Sequence, residues 1–247
     1  RHTYFFFVNK EKESKRKTFC AKLALCFWEE NMGYKTVEME SYKRRDHFAY
    51  FSSMAYPYVG TTANVDITEL LGRVKAERLP FFLAVCWCAV RSANAVPELC
   101  QRIVDGGIIE FDQCRASHTV ALEDGTFCYC TLENEPEFGG YLAAGREAQE
   151  AAKRRASIKE DPEEVLDKFF VSSLPWLSYT ALVQPVPSPA DSNPRITFGK
   201  YFPQGGRVLL PVSILCNHAL VDGLHIAAFY QNFDEEIKHI GQNTVLS

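Results

Sequence analysis

The chain has 247 residues, 47% of them hydrophobic and 13% aromatic, with a net charge of −4 at pH 7. That length and apolar content are enough to bury a substantial core and exclude disorder for most of the chain. The slightly acidic balance, with no basic stripe interleaved with aromatics, argues against a nucleic-acid partner.

Residues 1–31 differ in character from the rest of the chain. A basic run from Lys10 to Lys17 precedes an apolar patch, Phe19 to Trp28, that is interrupted by Lys22 and closed by Glu29 and Glu30. The patch is too short to cross a bilayer and lacks a small-residue cleavage site, so neither a membrane span nor a signal peptide is expected. Met32 then reads as the natural start, with 1–31 an upstream extension poorly packed against a domain over 32–247.

From Gly33 an alternating strand leads to a charged cluster, Tyr42 to Phe48, and to Tyr50, Phe51, Tyr56 and Tyr58, aromatics suited to the wall of a pocket for a ring-bearing ligand. Asp66, with Glu69 three residues on, reads as a capping box for a helix that buries Ile67, Leu70, Leu71 and Val74. Pro80 ends that helix and opens a second, Phe81 to Ala95, apolar nearly all round and therefore buried.

Two hairpins come next: Asp105-Gly106 separates Gln101–Val104 from Gly107–Phe111, and Glu123-Asp124-Gly125 separates Ser117–Leu122 from Thr126–Leu132. Residues 141–157 read as a surface helix, and Asp161-Pro162-Glu163-Glu164 as the opening of a shorter one. Phe169 to Leu182 is extended, with Pro175-Trp176 marking a bulge or edge. Four prolines between Gln184 and Pro194 give a stiff loop, after which sheet resumes over Arg195–Tyr201. The sum is one α+β domain, a two-layer sandwich with helices packed on one face of a mostly antiparallel mixed sheet.

The nine cysteines fit no repeated metal-ligand framework, and Cys86, Cys88, Cys100 and Cys216 lie inside apolar runs. They read as reduced core residues of a cytoplasmic protein. Cys86/Cys88 and Cys128/Cys130 would each share one face of a strand, but histidines at finger spacing are missing and no metal is expected.

The stretch that organises the rest is RVLLPVSILCNHALVDGLHIAAFYQNF, residues 207–233. Arg207 to Cys216 is a buried strand, and Ile226, Phe229, Phe233, Ile237 and Ile240 recur at helical spacing. His218 therefore sits where a buried strand runs out, four residues before Asp222 at a helix start. Imidazole takes and returns protons near neutral pH, and strand ends expose chemistry. Alone, H-x-x-x-D-G is short enough to be a histidine beside a turn.

Four separated pieces occur in one order: Tyr42-x-Arg44-x-Asp46-His47-Phe48, Ser172-x-x-Pro175-Trp176, Thr197-x-x-Lys200-Tyr201 and His218-x-x-x-Asp222-Gly223. Together they resemble the chloramphenicol acetyltransferase family, over about Gly33 to Ile240. Val65-Asp66-Ile67-Thr68 and Asn94-Ala95-Val96-Pro97-Glu98 look like family segments too. The resemblance implies that His218 is the general base, its tautomer fixed through the other ring nitrogen. It implies that Ser172, three residues before Pro175 and so preferred to Ser173, donates to the oxyanion with help from Thr197. Asp222 would pair with Arg44 as a structural bridge. Trp176, Lys200 and Tyr201 would lie along the coenzyme A channel, and Tyr50, Phe51, Ala55, Val59 and Ala121 along the acceptor pocket. Family members are trimers with sites between subunits, so His218 would face a pocket built largely by the neighbour.

The implied activity is acetyl transfer from acetyl-CoA to chloramphenicol, inactivating the antibiotic, with no metal. Two departures bear on it. Asn217 stands where the family shows a first histidine, and Ala55, Pro57, Val59 and Ala121 stand where larger or different side chains are common, which reshapes the acceptor pocket. A related acyltransferase for another small hydroxyl or thiol is the alternative. A non-catalytic binder of the drug or of coenzyme A is a third reading, and it predicts no turnover.

Overall fold

The computed structural model describes residues 33–159 and 164–242. The expected extension over 1–31, Met32 and the helix start at Asp161 lie outside them. Residues 164–167 form a turn rather than the continuation of a helix.

The strands form two sheets instead of the single one expected. A small antiparallel sheet holds β1 (Tyr34–Val37), β4 (Gly107–Phe111) and β3 (Gln101–Val104), in that order. Asp105 and Gly106 both have positive φ, 49° and 78°, the backbone a two-residue turn of this hand requires. The local signal thus set the hairpin correctly, but not which third strand would pair with it.

The large sheet has seven strands, β2 (Tyr58–Asp66), β10 (Arg207–Asn217), β8 (Arg195–Phe198), β7 (Lys168–Ser173), β5 (Arg115–Ala121) and β6 (Phe127–Leu132) in order, with β9 (Phe202–Gln204) on β10. The β5–β7 and β7–β8 pairs are parallel and the rest antiparallel. Two expected strands are shorter than the sequence implied. β7 ends before Pro175-Trp176 and β8 before Lys200-Tyr201, so both motifs lie in the loops beyond the strand ends.

Among the described residues five α-helices accompany the sheets: α1 (Arg45–Ser52), α2 (Thr68–Glu77), α3 (Phe81–Asn94), α4 (Phe138–Arg155) and α5 (Gly223–Gln242). The register row His118, Val171, Ile196, Ile214 is buried in full and faces them, with Phe82 of α3 against the His118 ring. Phe198, paired with Val212, meets Phe233 of α5. Since side chains alternate along a strand, the next row, Ser172, Thr197 and Ser213, points to the other, helix-free face.

α3 begins after Pro80 and is buried nearly all round, as its composition required. α2 buries Leu70, Leu71 and Val74, but its cap departs from the expected box. Ile67 is the N-cap, Asp66 accepts the Thr68 amide at 3.0 Å, and Glu69 pairs with Gln242 instead. Cys86 and Cys88 lie on α3, so the shared-face reading of that pair fails. The seven described cysteines are free and buried.

The fully buried Arg102 fastens the small sheet to the large one. Its guanidinium donates to the carbonyls of Leu99, Gln101, Leu166 and Lys168 and reaches Cys114 Sγ at 3.3 Å.

Candidate active site

The apolar run of β10 drives the strand through the core and stops at Asn217. There the Asn217 carbonyl accepts the amides of Leu220 and Val221, while its side chain accepts the Ala219 amide and donates to Asp191 O at 2.9 Å. Asn217 therefore anchors the tight turn that carries His218. The His218 amide donates to Pro57 O at 2.7 Å, tying the turn to the loop before β2. Within the ring, Nδ1–H donates to Val221 O at 2.8 Å, which leaves Nε2 with its lone pair. Among the described residues no hydrogen bond engages Nε2. Phe51 stacks on the ring, centroids 3.8 Å apart at 24°.

Asp222 serves two purposes at once. Its carboxylate accepts the Leu224 amide at 3.0 Å, capping α5, and pairs with Arg44, whose Nη2 also reaches His218 O at 3.3 Å. Partial burial works to raise the Asp222 carboxyl, but the Leu224 amide and the Arg44 guanidinium are among the groups that outweigh it and hold it below the ordinary range. Arg44 precedes α1, the helix that also carries Phe51, so one short element supplies both the ion-pair partner and the stacking ring.

The second group lies elsewhere. Ser172 and Thr197 are direct register partners at the C-terminal ends of two parallel strands. Ser172 Oγ stands 3.5 Å from Thr119 Oγ1, Thr197 pairs in register with Ser213, and Ser213 Oγ lies 2.7 Å from Thr62 Oγ1. Five hydroxyls thus cross the helix-free face on five neighbouring strands. Tyr179 donates to Thr197 O and takes the Ser213 hydroxyl at 3.3 Å, while Gln184 accepts from Thr197. A cavity of about 340 Å³ opens over Ser172, walled by Thr119, Tyr129, Phe170 and Gln184. A second, of about 450 Å³, lies on the other side of Gln184 and reaches Tyr56, Tyr58 and Ser213.

Trp176, Lys200 and Tyr201 come together just past the same strand ends. The Lys200 amide donates to Leu177 O at 2.7 Å and Ser178 to Lys200 O, while Tyr201 meets Phe81 edge-on and Trp176 is 74% exposed. Ala121 ends β5, parallel to β7, and belongs to this side.

Within one chain, therefore, the five candidate catalytic residues form two separate sets. His218, Asp222 and Arg44 lie beyond the N-terminal end of β8, whereas Ser172 and Thr197 lie toward its C-terminal end. Five residues along β10 and two strands across put the two sets roughly 15–20 Å apart. A shared tunnel inside a single copy is thus ruled out by the strand directions. The acceptor candidates divide too. Tyr50 and Phe51 on α1, Ala55 in the following loop, and Val59, opposite Cys216, are on the side of His218, and only Ala121 joins Ser172. Phe51 packs against His218 of its own chain, contrary to the expectation that the neighbour supplies it.

The residues that sequence reasoning missed are Thr62, Thr119, Ser213, Tyr179 and Gln184. No local motif marks them, since their grouping comes from register between strands distant in the chain. Among the described residues, no three His, Cys, Asp or Glu converge as a metal site, and no helix is long and apolar enough to cross a membrane.

The family model described as chloramphenicol acetyltransferase matches residues 32–234. Chloramphenicol acetyltransferases of Klebsiella sp. and Escherichia coli are 32% identical over 197 residues, covering 78% of this chain and 89% of theirs. A solved chloramphenicol acetyltransferase superposes with a TM-score of 0.74 at 23% identity, over 83% of this chain and 99% of that one. A dihydrolipoamide acetyltransferase from Azotobacter vinelandii shares the fold at a TM-score of 0.60 and 20% identity, over 78% of this chain and 86% of that one.

Proposed function

The chain belongs to the chloramphenicol acetyltransferase family and is an acyltransferase, and from that premise we propose that it transfers acetyl from acetyl-CoA directly to the primary hydroxyl of chloramphenicol. The observation that carries the mechanism is the His218 ring, whose Nδ1–H is spent on Val221 O so that Nε2 is left as a base. A hydroxyl is a poor nucleophile toward a thioester at neutral pH, and a base that removes its proton as the C–O bond forms contributes about 10² to 10⁴ in rate.

In this scheme the acceptor oxygen attacks the thioester carbonyl carbon as its proton passes to His218 Nε2. The carbonyl oxygen becomes an oxyanion that accepts the Ser172 hydroxyl, with Thr197 beside it. One such donor is worth about 2.7 to 4 kcal/mol. The C–S bond then breaks, and the proton on Nε2 goes to the departing coenzyme A sulfur. No enzyme nucleophile is acylated, because no Ser or Cys stands beside His218 in its motif. Asp222 and Arg44 hold the turn and carry no proton. Trp176, Lys200 and Tyr201 line the path of coenzyme A.

The two sets of residues meet between copies, His218 of one subunit facing Ser172 of the next in a homotrimer that works in the cytoplasm. Supporting this are the strand directions, which keep the sets apart within a chain, and the exposed apolar side chains Trp176, Leu177 and Val183 beyond β7. The small side chains at Ala55, Val59 and Ala121 favour a reshaped acceptor pocket, so acceptors other than chloramphenicol belong in the same assay.

Thiol release from acetyl-CoA on adding chloramphenicol tests the acceptor. Mixing tests the assembly: His218→Ala and Ser172→Ala are each expected to lose about 10²-fold or more in rate, and co-refolding them restores part of the wild-type rate. Complete failure of two folded, oligomeric variants to complement overturns the shared site.

A further inference from the structure

A single peptide group connects two imidazoles. The carbonyl of Val221 accepts Nδ1–H of His218 at 2.8 Å, and the N–H of that same peptide, on Asp222, donates to Nδ1 of His225 at 3.0 Å. His225 lies in the first turn of α5 with only 14% of its side chain exposed. Because its Nδ1 accepts, the neutral ring carries its proton on Nε2, which stands 3.5 Å from Glu98 Oε1. Glu98 belongs to the short 3₁₀ turn Pro97–Cys100. The other charged groups around His225 are the Asp222 carboxylate, 3.3 Å from Nδ1, and Arg44 behind it, with the Tyr42 hydroxyl nearby in the field of Arg44 and Glu98. Nδ1 cannot donate to Asp222 Oδ1 while it accepts the amide, and the shorter amide contact sets the tautomer.

We infer that His225 and Glu98 are positioning residues for His218, acting through the Val221–Asp222 peptide. That peptide can satisfy both rings only in one orientation. Engaging its N–H also makes its carbonyl a stronger acceptor, since hydrogen bonds in series polarise one another. The His218 tautomer with Nε2 free is thus supported by His225 through the shared peptide, with a carboxylate of another element beside the His225 ring. Without His225 the peptide is free to tilt, the Nδ1–H of His218 loses its fixed acceptor, and a ring protonated at Nε2, which cannot take a proton there, becomes populated. The inference rests on the reading of His218 as the base.

The test is the ring ¹⁵N spectrum of the full-length, histidine-labelled protein, which reports tautomers without any acceptor present. Wild type is expected to show His218 with Nδ1–H alone. His225→Leu is expected to populate Nε2–H and to lower kcat by about 10- to 100-fold, with the KM for acetyl-CoA changed less than twofold. His225→Asn, which can offer an amide oxygen near the Nδ1 position, is expected to recover most of both. Glu98→Gln, at a more exposed site, is expected to shift the tautomer less and in the same direction, and remains informative should His225→Leu fail to fold. An unchanged His218 tautomer in the folded His225→Leu or Glu98→Gln protein overturns the inference. Retained turnover in His218→Ala would instead overturn the base assignment, and the spectrum distinguishes the two failures.

Discussion

His118 and His218 are held almost alike. Each donates Nδ1–H to a backbone carbonyl, Cys130 at 3.0 Å and Val221 at 2.8 Å, and each lies against a phenylalanine ring, Phe82 and Phe51. They differ at the other nitrogen. His118 sits inside β5 on the helix-facing side, 1% exposed, and its Nε2 is met by the Gln149 amide at 3.0 Å. His218 stands on the turn after β10, half-buried, with Nε2 outside the described hydrogen bonds. Fixing Nδ1 is common to the buried His118 and to His218, the proposed base. What meets Nε2 separates them.

The largest expected effect comes from removing the free nitrogen. His218→Ala is expected to lower kcat by about 10² to 10⁴ while leaving the melting temperature within a few degrees of wild type. The corresponding loss at His118 runs the other way: His118→Ala is expected to melt markedly earlier and, where folded, to keep turnover within about tenfold. A comparable loss of kcat at both positions, measured on folded protein, would break the contrast.

Next in size is the pH effect of His118. Burial pushes its pKa down to about 4, against the opposing pull of the Cys130 carbonyl. The unfolded chain, with a histidine pKa of about 6.5, then binds a proton that the folded protein refuses. Stability is expected to be full above pH 6.5 and to fall between pH 6.5 and 4, by an order of magnitude of 3 kcal/mol. Denaturant midpoints across that range check it, and His118→Gln is expected to flatten the curve. A slope that survives His118→Gln would assign the effect elsewhere.

Smaller changes sharpen the comparison from each side. Asp222→Ala removes both the cap on α5 and the Arg44 partner, and is expected to cost about 1–2 kcal/mol in chemical denaturation along with some activity. Gln149→Leu leaves His118 Nε2 without its donor at little change in volume and is expected to cost about 1 kcal/mol without moving kcat. If Gln149→Leu reduced turnover as much as Asp222→Ala, the separation between the two histidines would not hold.

Much of the site was legible because its signals are local. A strand end, an imidazole, a capping Asp and a Gly-started helix occur within seven residues, so His218 and Asp222 could be placed from the chain alone, while the Arg44 partner was expected only through the family resemblance and is found paired with Asp222. The hairpin at Asp105-Gly106 and the buried stretches of α2 and α3 follow from turn chemistry and periodicity in the same way. The capping box at Asp66 shows the limit of such signals, since the residue types are present but the cap falls one residue later, at Ile67, and Glu69 turns to Gln242.

The sequence by itself determined where β10 must end and that an imidazole and a carboxylate follow it, because apolar periodicity and residue type are properties of short segments, while the acyl-transfer roles came from the family resemblance. Only the tertiary structure decided that Ser172 and Thr197 are neighbours, that five hydroxyls share one row of the sheet, and that this row lies well away from His218 in the same chain. The reason is that strand pairing is set by contacts between segments tens of residues apart. Whether two such segments run parallel or antiparallel fixes which ends meet, and no single stretch records that choice.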